Sequence, residues 1–291
     1  MIFAHSRRRF LHGAAGLGVL GLAGVGAGRS IAQSATPALP ERFDINHLMG
    51  PVKDQGERKT CAAFAMVASA EAAFARDTGA RVVLSEDYLM HKLFGDSPRP
   101  ADETTGPAEM IDIARKHGFA LAEDWPYQPR LCAPDALAPG CQILPPDLAA
   151  IDRKADQMRV PNWVARALHG ARWDSRAAAD ARALALAEIV WRSQAAVIFA
   201  TALPDDGEGW GDDGMLSIAE SLRGKTTDEL DAGPKHIAVL TGFDLARREF
   251  QFKNSWGVDW GRGGYGTIPF DLVGTPQFFE SFFWARKPIP A

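Results

Sequence analysis

The residues that could do chemistry in this 291-residue chain begin with its three cysteines. Cys132 and Cys141 stand nine residues apart across a Pro- and Gly-containing stretch, a spacing that can close a small disulfide. That leaves Cys61 as an odd thiol. It lies at the expected N-terminus of a helix, next to Arg58 and Lys59. Helix-end N–H groups and neighbouring cations both stabilise a thiolate, and a thiolate is the nucleophile needed near neutral pH. A cysteine taken alone is more often a small buried hydrophobe. His236 alone is an ordinary strand-end histidine, Asn254 a turn residue, and Gln55 carries no signal of its own. A metal site would need a second ligand within a few residues of Cys61 or His236, and none stands there, so neither metal nor cofactor is expected. The acidic, Gly-rich stretch Pro204–Gly214 lacks the D-x-D-x-D-G spacing of a calcium loop and reads as a solvated loop.

The elements that must position these residues can be read from periodicity. Thr60 or Cys61 opens an Ala-rich helix that runs to about Arg76, with Phe64, Ala68, Ala72 and Ala75 along one apolar face and Gly79 at its end. Ser85 caps a second helix carrying Tyr88, Leu89 and Leu93. Pro107 starts a third, with Met110, Ile111 and Ala114 facing inward and Gly118 as its stop. Asp124 to Asp147 is Pro-rich and reads as a tether. Ser175 to Arg192 is a long Ala-rich helix. Apolar β-like runs follow at 195–202, 236–243, 249–253, 265–268 and 282–285. A helical half followed by a strand-rich half predicts an α+β chain with two lobes. The expected organisation is 1–32 as a signal, 33–48 as a lead, 49–150 as a helical lobe and 151–291 as a β-rich lobe.

Composition separates the first 32 residues from the rest. They carry four of the 32 Lys+Arg and none of the 36 Asp+Glu, so the whole chain is at −4 and the remainder, with 28 basic and 36 acidic side chains, at −8. An acidic chain of this hydrophobicity is neither disordered nor a basic nucleic-acid binder. Arg7-Arg8-Arg9 precedes the uncharged run Gly13–Gly28, and Ser30-Ile31-Ala32 supplies small residues for a signal peptidase. This is the outline of a secretory signal, and Ser6-Arg7-Arg8-Arg9-Phe10-Leu11 resembles the twin-arginine motif. The expectation is a bacterial protein that is periplasmic or secreted, cleaved after Ala32, with no stable membrane association afterwards.

The surroundings of Cys61 change its reading. Residues 51–64, PVKDQGERKTCAAF, resemble the papain family of cysteine peptidases, in which a Gln stands six residues before the nucleophile, as Gln55 precedes Cys61. Gly233 to Gly242 resembles that family's segment around its catalytic His, and Phe252-Lys253-Asn254-Ser255-Trp256-Gly257 its Asn block. Weaker likenesses at Leu84-Ser85-Glu86, Ala108–Gly118 and Asp124-Trp125-Pro126-Tyr127 extend the match, in order, over roughly residues 39–285. The resemblance implies a two-lobed α+β fold with a helical lobe, an antiparallel β-barrel-like lobe and the active site in the cleft between them. It implies Cys61 as nucleophile, His236 as general base and acid, Asn254 as the residue that orients His236, and Gln55 with the Cys61 N–H as oxyanion donors. Trp256 shields the His–Asn bond. Ala62, Thr105, Gly106 and Trp256 are candidates for lining the substrate cleft. The expected substrate is a peptide or protein, and the expected enzyme is a monomer. An amidase or transpeptidase shares the same acyl-enzyme, and a non-catalytic peptide-binding member would share only the cleft.

The sequence also departs from that pattern. Arg58 occupies the position of a disulfide Cys, and Ala62 that of a Trp, which predicts a wider cleft floor. Cys61 and His236 lie 175 residues apart, against roughly 130–150 in the family. The excess falls within 150–232 and forms either lobe surface or a loop narrowing the cleft. Lys235 either lowers the His236 pKa by like-charge repulsion or points to water. Only Gln33 to Leu39 separates the signal from the mature-like start, so the expectation is an enzyme that folds without an inhibitory propeptide.

Overall fold

The computed structural model describes residues 38–97, 103–129, 147–160, 162–168, 175–204 and 206–286. The expected signal peptide and the Cys132–Cys141 pair lie outside these residues. In chain order the elements are β1 (Arg42–Asp44), α1 (Cys61–Thr78), α2 (Glu86–Asp96), α3 (Pro107–His117), α4 (Leu148–Gln157), β2 (Trp163–Ala167), α5 (Arg176–Ser193), β3 (Val197–Ala202), α6 (Thr227–Ala232), β4 (Lys235–Asp244), β5 (Glu249–Lys253), β6 (Tyr265–Pro269), α7 (Phe270–Val273) and β7 (Ser281–Ala285).

Helix α1 is built from alanines because it is crowded on every side. Residues 62–73 are buried without a break, so the single apolar stripe expected from its period widens to the whole circumference. Gly79 closes it in the left-handed conformation at φ 73°. Ser85 caps α2 by accepting the Tyr88 N–H, and Pro107 and Gly118 bracket α3. Helix α4, which follows the expected tether and had no element expected over it, is capped by Asp147 and buries Ile151 and Ala155. The boundary expected at 150/151 falls inside it.

The strands form one antiparallel sheet in the order β2-β7-β3-β4-β5-β6, with β1 also pairing β4. The expected barrel-like lobe is corrected here. No ladder joins the edge strands β2 and β6 among the described residues, and the sheet stays open. Helices do the covering that closure would have done. Ile198, Ile237 and Val239 pack into one cluster with α1, α2 and α3. The residues between them, Val197, Phe199, Ala238 and Leu240, pack on the other face with α5 and α7. Both faces of β3 and β4 are therefore buried, which is why these strands read as continuous apolar runs. Gly242 lets β1 approach β4, since a Cβ there would stand 2.5 Å from the Phe43 carbonyl oxygen.

This arrangement brings the candidate residues together. Val239 pairs with Lys253, so one further step sets Asn254 opposite Ala238. His236 is then its diagonal neighbour on the same face. Helix α1 packs its N-terminal half against β4 and delivers Cys61 to the same end of the sheet.

Candidate active site

Cys61, His236, Gln55, Trp256, Thr105 and Gly106 line one cleft of about 1240 Å³. Ala62 does not line it: it is buried in the α1 core, so the wider floor expected from its small side chain is not formed there.

Cys61 is the first residue of α1. The Thr60 side chain does not cap the helix; its hydroxyl is bonded to Tyr127 Oη at 2.8 Å. The free N–H groups of the first turn serve the thiol instead. Burial pushes the Cys61 thiol up to about 11, and the N–H groups of Ile237, Ala62 and Cys61 itself pull against that rise. The low thiol pKa expected from Arg58 is not found, because the Arg58 guanidinium turns away into a buried pairing with Asp87 and Glu103.

His236, at the start of β4, is buried, and burial lowers it to about 4, opposed by its hydrogen bond with Asn254. That bond joins His236 Nε2 to Asn254 Oδ1 at 2.7 Å. The same Oδ1 accepts the Ser255 backbone N–H at 2.9 Å. A backbone N–H can only donate, so the amide orientation is fixed and His236 Nε2 must carry the proton. The Nδ1 lone pair is then the free base. Lys235 does not act on this ring; its ammonium pairs with Asp231 at 3.2 Å and lies 5.6 Å from the Phe279 ring centroid.

Gln55 is held by the neighbouring residue of the same tripeptide. Ser255 Oγ donates to Gln55 Oε1 at 2.6 Å, and the Gln55 N–H donates to the Ser255 carbonyl at 2.8 Å. Gln55 Nε2 donates one proton to the Arg58 carbonyl at 2.7 Å. The second is left for the cleft. Thus Asn254, Ser255 and Trp256 respectively hold the imidazole, hold the amide and cover the histidine. The Trp256 ring centroid is 4.6 Å from that of His236.

A second tryptophan, in the acidic stretch expected to be a solvated loop, completes the cover. Trp210 meets His236 edge-on at 4.9 Å and Trp256 at 5.1 Å, and Trp260 backs both. The acidic loop is a turn scaffold for this ring, with the Asp206 and Asp213 carboxylates accepting the N–H groups of Glu208 and Met215. The signal was present: a tryptophan in an acidic, Gly-rich stretch is a large apolar ring with reason to be covered, and Trp210 is half-buried. The long Cys–His interval serves both expected purposes. Helix α5 covers the outer face of the sheet, and Asp231 and Ala232 of α6 border the cleft.

No protein-family model matches the chain. It is 26% identical over 233 residues to the viral cathepsin of Spodoptera litura multicapsid nucleopolyhedrovirus, covering 78% of this chain and 56% of that relative. The chain thus spans little more than half the length of the relative it matches. Among solved structures, xylellain, a cysteine protease from Xylella fastidiosa, superposes with a TM-score of 0.66 at 18% identity, over 87% of this chain and 88% of the other. The Carica candamarcensis cysteine protease CMS1MS2, solved in complex with E-64, gives a TM-score of 0.57 at 18% identity, over 86% of this chain and all of that one. These likenesses show the fold, which is papain-like and α+β.

Proposed function

We propose that the chain is a cysteine peptidase whose acyl-enzyme forms on Cys61. The observation that carries this is the His236–Asn254 pair, locked with Nδ1 unprotonated, in one cleft with a thiol at a helix N-terminus and a clamped glutamine amide. Burial penalises a lone thiolate and a lone imidazolium alike, so the proton passes from Cys61 to His236 Nδ1 and the two charges form together. The sulfur attacks the peptide carbonyl carbon, and the carbonyl oxygen takes the electron pair. Gln55 Nε2–H and the Cys61 N–H receive that oxyanion. The imidazolium then gives its proton to the leaving amine as the C–N bond breaks. Water, deprotonated by His236, attacks the thioester, and the acid product leaves as the thiol is restored. The cleft's volume of about 1240 Å³ leaves room for a polypeptide segment, and export by way of residues 1–32 belongs to the same proposal.

An epoxysuccinyl thiol inhibitor tests the site. The expected result is a mass increase confined to a peptide containing Cys61, absent in Cys61→Ala, together with cleavage of a peptide library that the same substitution abolishes. Labelling without cleavage, but with transfer to an added amine, would assign the acyl-enzyme to a transpeptidase. No labelling under reducing conditions would leave only a binding cleft.

A further inference from the structure

Arg58 is the largest departure from the resembled pattern close to the site, and its surroundings are built for it. Arg58 is 6% exposed. It reaches three separate segments: Asp87 Oδ1 in α2 at 2.5 Å, Glu103 Oε1 ahead of α3 at 3.0 Å, and the Gln128 carbonyl beyond α3 at 2.6 Å. Its Cζ lies 4.8 Å from the Tyr127 ring centroid. The hydroxyl of that tyrosine donates to the Gln55 carbonyl at 2.9 Å. At the other end of the same residue, the Arg58 carbonyl takes the Gln55 Nε2 proton. One residue is thus anchored by its side chain in the helical region and grips the candidate oxyanion donor with its backbone.

We infer that Arg58, fixed by Asp87 and Glu103, is the positioning residue for the Gln55 amide, a buried ionic cross-link where the resembled family places a disulfide. The inference rests on the reading of Gln55 as an oxyanion donor. Buried ion pairs are weak evidence of stabilisation, because desolvation offsets much of their attraction. What this one supplies is geometry. The planar guanidinium grips Glu103 through Nε and Nη2 while Nη1 reaches Asp87 and the Gln128 carbonyl, a fixed fork that the compact ammonium on a flexible stem does not reproduce. An oxyanion donor tolerates little displacement, and losing one costs about 10²–10³-fold in rate.

The test compares two reactions of the same thiol. Acylation of Cys61 by p-nitrophenyl acetate, read as the burst of p-nitrophenolate, passes through an oxyanion and needs no peptide recognition. Alkylation of Cys61 by iodoacetamide breaks a C–I bond at a saturated carbon and forms no oxyanion. Arg58→Met is expected to slow acylation about 10–100-fold and to leave alkylation within about twofold. Arg58→Lys preserves the buried charge balance, so its fold is expected to survive where Arg58→Met fails, and its acylation is expected to fall at least about fivefold. In a Gln55→Ala background either change is expected to add less than about twofold, because the effect passes through that amide. Parallel falls in acylation and alkylation would overturn the inference. So would an undiminished loss in the Gln55→Ala background, or wild-type acylation no faster than that of Gln55→Ala. Wild type that shows the expected acylation pattern but cleaves no peptide would sink the peptidase reading and leave this one standing.

Discussion

At the residue scale, His236 gives up the charge that water would allow it. Burial lowers it from an ordinary 6.5 to about 4. The unfolded chain takes up a proton from pH 6.5 downward, while the folded chain resists until about pH 4. Stability therefore falls as pH falls through that window, and the contribution is unaffected above it. Between pH 7 and pH 5 the loss from this one group is about 2 kcal/mol. Urea unfolding at the two pH values checks this. Wild type should lose about 2 kcal/mol more than His236→Gln, and equal losses would refute the buried neutral imidazole. The buried amide nitrogen Asn254 Nδ2 has no partner among the described residues. It is tolerated because the opposite end of that amide is doubly engaged. The site was largely legible from sequence because its residues carry recognisable neighbours. Gln55, Cys61, His236 and Asn254 each sit in a motif that matches the resembled family. Asp87, Glu103 and Trp210 sit in none. Their roles arise from partners 29, 45 and 26 positions away in the chain, which no local pattern records.

At the element scale, helix stops carry more than the end of a helix. Gly79 and Gly118 both have positive φ, at 73° and 72°. Nothing stands within 4 Å of a Cβ placed on Gly79, but one on Gly118 would lie 1.9 Å from the Ala155 carbonyl oxygen of α4. The Phe119 N–H also donates to the Met158 carbonyl, just past α4. Gly118→Ala therefore meets both backbone strain and a backbone clash, whereas Gly79→Ala meets strain alone. Strain of this kind costs roughly 1–2 kcal/mol. Calorimetry should show a modest fall in Tm for Gly79→Ala and one at least twice as large for Gly118→Ala. Equal falls would mean that α4 does not seat on α3 as described. The sequence announced both glycines as stops, and it announced α1, α2, α3 and α5, with the Ser85 cap of α2 and the Pro107 start of α3. It did not announce α4 or α6. Their signals are short: an Asp147 cap on a ten-residue helix with two buried side chains, and a Thr226–Glu229 capping box with one buried leucine. Each is too short for its period to be told from chance.

At the scale of the whole molecule, one sheet joins two cores. Successive residues of β3 and β4 point into opposite clusters, one with α1 to α3 and one with α5 and α7. Two lobes with a large chain between them could unfold separately, as larger chains often do. The alternation argues otherwise. Losing either cluster would bare one full face of strands whose other face remains packed, and it would break the ladder that holds His236 beside Asn254. The two clusters should therefore melt together. Trp125 and Trp163 belong to the first cluster, and Trp256, Trp260 and Trp284 to or against the second. A Trp125→Phe/Trp163→Phe variant thus reports by fluorescence mainly on the second, while far-UV circular dichroism is weighted by the helices of the first. The two signals should give one urea midpoint and one m-value. Separate midpoints would show that the sheet belongs to one core only. Catalysis would then depend on a docking equilibrium between lobes, with the Cys61 helix free to leave His236 before either lobe unfolds.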